Sequence, residues 1–152
     1  MDEQMLNDLW NRQIFTVSSV PASYANGAHN IFAITGGLVQ ILAIVEENVT
    51  VMTNVTTSDI DVGAVGMDNG TIAINGAVGT LVVSPLNAAV AKIAPALAVQ
   101  MPSLLGYAAN LGVVAQAGVN ITVTFAGVAM AGAETYALHV MYRKIQDTGL
   151  ID

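Results

Sequence analysis

With 152 residues and a mass of 15.7 kDa, the chain has the size of one domain, enough to bury roughly 70% of its unfolded surface. Hydrophobic residues make up 54% of it and charged residues 10%, which excludes a disordered chain and leaves too little charge for a conventional solvated surface. Four Lys and Arg against eleven Asp and Glu exclude a duplex-phosphate binder, and the lack of cysteine excludes disulfides, thiolate zinc sites and cysteine nucleophiles.

The opening segment, residues 1–13, reads as a short amphipathic arm or helix. Met5, Leu6, Leu9 and Trp10 recur at helical spacing, and Asp2, Glu3 and Asp8 sit toward the favourable N-terminal end. So short a helix is marginal alone in water, so Leu9 and Trp10 are expected to dock on this subunit or on a neighbour. Met1-Asp2-Glu3-Gln4 is acidic where a secretory signal is basic, so no export is expected from it.

From Ile14 the signal changes, and residues 14–152 read as a single β domain. Val, Ile and Thr, stiff at χ1 and suited to a pleated surface, alternate with runs punctuated by Gly and Asn. The expected strands are Ile14–Ser18, Asn30–Thr35, Leu38–Glu46, Thr50–Thr56, Thr71–Ile74, Thr80–Ser84, Asn120–Ala126 and Thr135–Lys144. The last two are clearest. Ile121, Val123 and Phe125 share one face, as do Tyr136, Leu138, Val140 and Tyr142, which puts His139 on the opposite side.

Leu38–Val45 is apolar on both faces except at Gln40, the mark of a central strand covered on both sides or of one lying in a subunit contact. Gly36-Gly37, Asn69-Gly70 and Asn75-Gly76 signal hairpins, hence antiparallel pairing. From Ser84 to Gly118 the pattern loosens into a loop-rich insertion with a short helix expected at Ala88–Ile93. The fold class is therefore all-β, an antiparallel sandwich or barrel-like domain. The mean hydropathy of +0.62 invites a membrane reading, but the longest apolar stretch, Ala88–Met101, holds Lys92 and Pro95 and is shorter than the roughly 20 residues of a span. No membrane partner is expected.

The inventory for chemistry is thin. His29 reads as a turn residue, and no nucleophile with an oriented base can be assembled, so no catalytic residues, no cofactor and no metal are assigned. Asp59, Asp61 and Asp68 offer hard oxygen ligands in a glycine-bearing stretch, open either to calcium or to simple solvation, but they lack the EF-hand pattern. Glu46 and Glu47 are adjacent on a strand and point to opposite faces, so they cannot flank one bond and read as a charged strand end. Arg143 and Lys144, the one basic pair, read as a solvated strand end or an anchor on an acidic protein surface.

Three stretches carry a family resemblance: Ile31–Val45 with its Thr35-Gly36-Gly37 turn, Ile121–Gly127, and Tyr136–Tyr142. Together they resemble the capsid decoration (cement) proteins of tailed bacteriophages and related small virion structural proteins, across about half of the chain. Leu38 stands where a proline commonly follows the glycine pair, and Ala88–Asn110 has no counterpart. The resemblance implies a non-enzymatic β module made in the host cytoplasm, assembled as a homotrimer on the outer capsid surface and contacting the major capsid protein. Leu9, Trp10, Arg143 and Lys144 are the candidate interface residues. A tail, head-fibre or receptor-binding module of a virion is the alternative; exposed aromatic residues at loop tips would favour it.

Overall fold

The computed structural model describes residues 14–70, 72–96 and 112–152. The arm at residues 1–13, with Leu9 and Trp10, lies outside them. The strands are β1 (Ile14–Ser18), β2 (Gly27–Thr35), β3 (Val39–Asn48), β4 (Thr56–Val62), β5 (Val65–Gly66), β6 (Leu81–Val83), β7 (Ile93–Ala96), β8 (Val113–Ala115), β9 (Asn120–Gly127), β10 (Tyr136–Lys144) and β11 (Leu150–Ile151). They form two antiparallel sheets packed as a sandwich. One runs β1-β10-β3-β6-β7 with β8 also on β3, and the other runs β11-β2-β9-β4-β5.

The pairing is nested from the outside in: β1 with β10, β2 with β9, β3 with β6, and β4 with β5. The ribbon made by these pairs is then closed by β10 on β3 and β9 on β4. A long double ribbon rolled in this way is a jelly roll.

The expected β1 matches its observed bounds, and Leu38–Glu46, expected to be central, is β3, flanked by β10 on one side and by β8 and β6 on the other. Residues from both sheets fill the core. Ile34, Ile60, Ile121, Val123 and Phe125 meet Val39, Ile41, Ile44, Leu138 and Val140, and the Phe125 and Tyr136 rings meet edge to face with centroids 5.2 Å apart.

A bulge in β3 decides which side chains enter this core. Tyr142 lies opposite Ile41 and Met141 opposite Ala43, so Leu42 is an extra residue without a partner on β10. Before it Val39 and Ile41 face inward; beyond it the alternation shifts, and Ile44, Glu46 and Asn48 are buried.

Three expected elements differ. Thr50–Thr56 is a loop that carries only a bridge from Met52 to Gly76, because Val51 and Val55 turn outward and the strand begins at Thr56. Of Thr71–Ile74, the described part carries only the bridge from Ala73 to Thr57. Ala88–Ile93 is not a helix. Asn87 closes a turn there, its side chain accepting the Ala89 N–H and its carbonyl the Val90 N–H, and the chain then extends through buried Lys92 into β7. Among the described residues there is no helix, and so none long and apolar enough to cross a membrane.

Candidate functional site

Two features stand out, and the first is a buried polar cluster between the sheets. Glu46 enters from β3 beyond the bulge, Ser58 from the inner face of β4, Tyr136 from the start of β10, Asp68 from the segment after β5, and Lys92 from just before β7. The Lys92 and Asp68 side chains are fully buried and that of Glu46 is 1% exposed.

The Lys92 ammonium donates to the Ser58 carbonyl and to Ser58 Oγ, both at 2.6 Å. Its Nζ lies 2.8 Å from Glu46 Oε2 and 3.6 Å from Asp68 Oδ2. Glu46 Oε1 in turn accepts from the Ser58 hydroxyl and, at 3.0 Å, from the Tyr136 hydroxyl. Asp68 Oδ1 accepts the Gly70 N–H at 2.8 Å.

Burial and the neighbouring Glu46 carboxylate raise the Tyr136 phenol well above its usual range, so it stays a donor. Burial also pushes Asp68 up to about 6, with Glu46 and Asp59 adding to the effect and Lys92 and the Gly70 N–H opposing it. One cation thus faces two carboxyl groups in a site shielded from water, where unmatched charge is costly.

The second feature is the end of the sandwich formed by the loops at residues 19–26, 49–55, 75–80 and 128–135. These loops are laced together: the Val128 N–H donates to Val55 O, Ser23 Oγ to Ala131 O, Thr50 Oγ1 to Ala133 O, and Gly76 and Met52 bond each other. Glu134 ties the loops at residues 49–55 and 128–135 together from below. Its carboxylate accepts the backbone N–H groups of Thr53, Asn54 and Ala131 and the Thr53 hydroxyl. Burial disfavours the ionised form, but these donors outweigh it and hold Glu134 at about 2.

Outward, this end shows Val20, Val51, Val55, Val78 and Val128; Val20 is 82% exposed. The four loops contain no other charged residue than buried Glu134.

The sequence-derived candidates fall elsewhere. Lys144 lies with its Nζ 5.1 Å from the centre of the Phe15 ring, and Arg143 is half-buried on β10 with Nε shielded and without a hydrogen-bond partner, so the pair is not a freely solvated strand end. Asp59 and Asp61 are not in a loop. They lie on the outer face of β4, while Asp68 turns inward, so the three do not converge. Burial and the charge of Asp59 raise Asp61. No group of three or more His, Asp or Glu among the described residues is arranged to hold a metal ion.

Glu47 is a surface residue as expected, but Glu46 is not: the bulge turns it inward. His139 is on the outer face as expected, between Ser18 Oγ at Nδ1 and Glu47 Oε2 at Nε2, both 2.7 Å away. This row crosses three strands of a sheet face and ties edge strand β1 to the centre.

The cluster was missed because its members are far apart in sequence. One signal was present: Lys92 is the only cation between Arg12 and Arg143, set in an uncharged, alanine-rich stretch, where a positive charge calls for a buried partner.

No protein-family model and no curated protein matches the chain. Among solved structures it is similar to one titled "Structure of infectious bursal disease virus Gx strain", at 9% identity and a TM-score of 0.36, over 91% of this chain. The chain spans 38% of the length of that one.

Proposed function

We propose that the protein is a non-enzymatic structural component of a virion, a decoration (cement) protein that binds the outer surface of a capsid as a homotrimer. The observation that carries this reading is the four-loop end of the sandwich, with five exposed valines and no exposed charge on a chain of net charge −7. A surface of that kind is cheap to desolvate and marks a protein contact. The hydrogen bonds that lace the loops hold it in one shape, so little ordering is left to oppose binding. The likeness of the Ile31–Val45, Ile121–Gly127 and Tyr136–Tyr142 stretches to cement proteins supports the same reading.

Such a protein needs no chemistry. Binding only the assembled shell stabilises it by RT ln(1 + [L]/Kd) at each site. The major capsid protein is the proposed partner of the loop end, with the arm around Leu9 and Trp10 adding contacts between neighbouring subunits. Arg143 and Lys144, engaged at the other end of β10, are the less favoured anchor.

Antibody labelling of particles made with this protein tests the assignment. Label spread over the shell, together with a trimer by light scattering, is expected. Label confined to the tail or to head fibres would replace the reading by the alternative module, and unlabelled particles would overturn both. A Val51→Asp, Val128→Asp chain is expected to stay folded and lose shell occupancy.

A further inference from the structure

The Lys92 cluster has a feature that charge pairing leaves unexplained. Glu46 is matched to Lys92, yet a second buried carboxyl, Asp68, turns an oxygen with no hydrogen-bond partner toward the same Nζ at 3.6 Å. A cluster built only for support would be more stable with an apolar or amide side chain at position 68.

We propose that Lys92 and Asp68 condense into an intramolecular isopeptide bond, with Glu46 as the proton carrier. Each part of the cluster has a task in that step. The Ser58 carbonyl and hydroxyl fix Nζ, and the Ser58 and Tyr136 hydroxyls occupy Glu46 Oε1, leaving Oε2 facing Nζ to receive its proton. The deprotonated amine of Lys92 attacks Cγ of Asp68, and Glu46 returns the proton to the departing hydroxyl. One N–C bond forms, one C–O bond breaks and one water leaves. The amine's other surplus proton ends on Glu46, so ammonium, carboxylic acid and carboxylate become a neutral amide, water and a neutral Glu46. No oxidant or reductant takes part.

The raised Asp68 carboxyl keeps a protonated fraction near neutral pH, which supplies the leaving hydroxyl. Burial holds the reacting groups together and excludes the water that would favour hydrolysis. The product joins the segment after β5 to the residue before β7 and removes the buried charges from this part of the sandwich.

The test is the intact mass of the purified, denatured full-length chain, followed by peptide mapping. The expected mass is below that of the sequence by one water, with a branched peptide joining Asp68 to Lys92. Lys92→Met and Glu46→Gln chains are expected at their full sequence masses. A native-sequence chain at full mass overturns the proposal whether or not the variants fold. So does a water loss carried by a linear peptide, as in a cyclic imide at Asp68. A Glu46→Gln chain that still forms the branched peptide overturns the role of Glu46.

Discussion

Glu46 points into the sandwich and Glu47, its neighbour, points out of it toward His139, 2.7 Å away. The two carboxylates therefore differ in what their loss does. Glu46→Ala leaves a buried ammonium without its nearest counter-charge and is expected to destabilise by about 3–5 kcal/mol. Glu47→Ala removes a half-exposed pair and is expected to cost about 1 kcal/mol or less. Urea unfolding of the two variants checks the contrast.

The bulge at Leu42 sets that orientation. Inserting one alanine between Ala43 and Ile44 shifts the rest of β3 by one position, which turns Val45 and Glu47 inward and sends Ile44 and Glu46 out if the pairing before the insertion is kept. Loss of the cooperative thermal transition is expected, whereas Leu42→Ala, which keeps the residue count, retains it. Circular dichroism melting distinguishes them.

Tyr136→Phe keeps the ring against Phe125 and removes only the hydroxyl that donates to Glu46. A cost of about 1–3 kcal/mol is expected by denaturant titration, because the buried acceptor loses a donor that no water replaces.

Glu134 makes the loop end sensitive to acid. Its carboxyl sits at about 2 in the folded chain against 4.5 for the ordinary group, so its contribution is present above about pH 4.5 and is lost as pH falls toward 2. The melting temperature is expected to drop over that window. Glu134→Gln is expected to be less stable at neutral pH and to show a flatter acid limb.

Gly36 occupies a left-handed conformation, φ 72°, and a Cβ there would lie 1.9 Å from the carbonyl oxygen of Thr148. Gly36→Ala is expected to destabilise by about 2 kcal/mol or more, through strain and displacement of the turn before β11. Gly79→Ala meets no neighbour within 4 Å and carries the φ penalty alone. Comparing the two melts separates crowding from backbone strain.

Legibility followed the chemistry of each strand. In β9 and β10 one face is wholly apolar, and alternation disclosed both the strands and the outward side of His139. In β4 the inner face is Thr56, Ser58, Ile60 and Val62, with Asp59 and Asp61 outside, so the period dissolves into polar residues and reads as an acidic loop. Thr56 and Ser58 are tolerated inside because Val128 O and Glu46 accept their hydroxyls. Those partners come from other strands, and local pattern cannot reveal them. Val51 and Val55 misled in the opposite sense, since their alternation belongs to an exposed loop. The Lys92 cluster needed both the β3 bulge and the topology before its members could be brought together.

The pairing of β1 with β10 has a consequence for synthesis. β1 sits at the edge of its sheet, and its only strand partner among the described residues is β10, which is made after every other described strand except β11. Until then β3 lacks its longest neighbour and the inner faces of both strands stand open to water. The nascent chain must be kept from aggregating until β10 has been made, and any stop codon ahead of Tyr136 yields a product that has no closed sheet to fall back on.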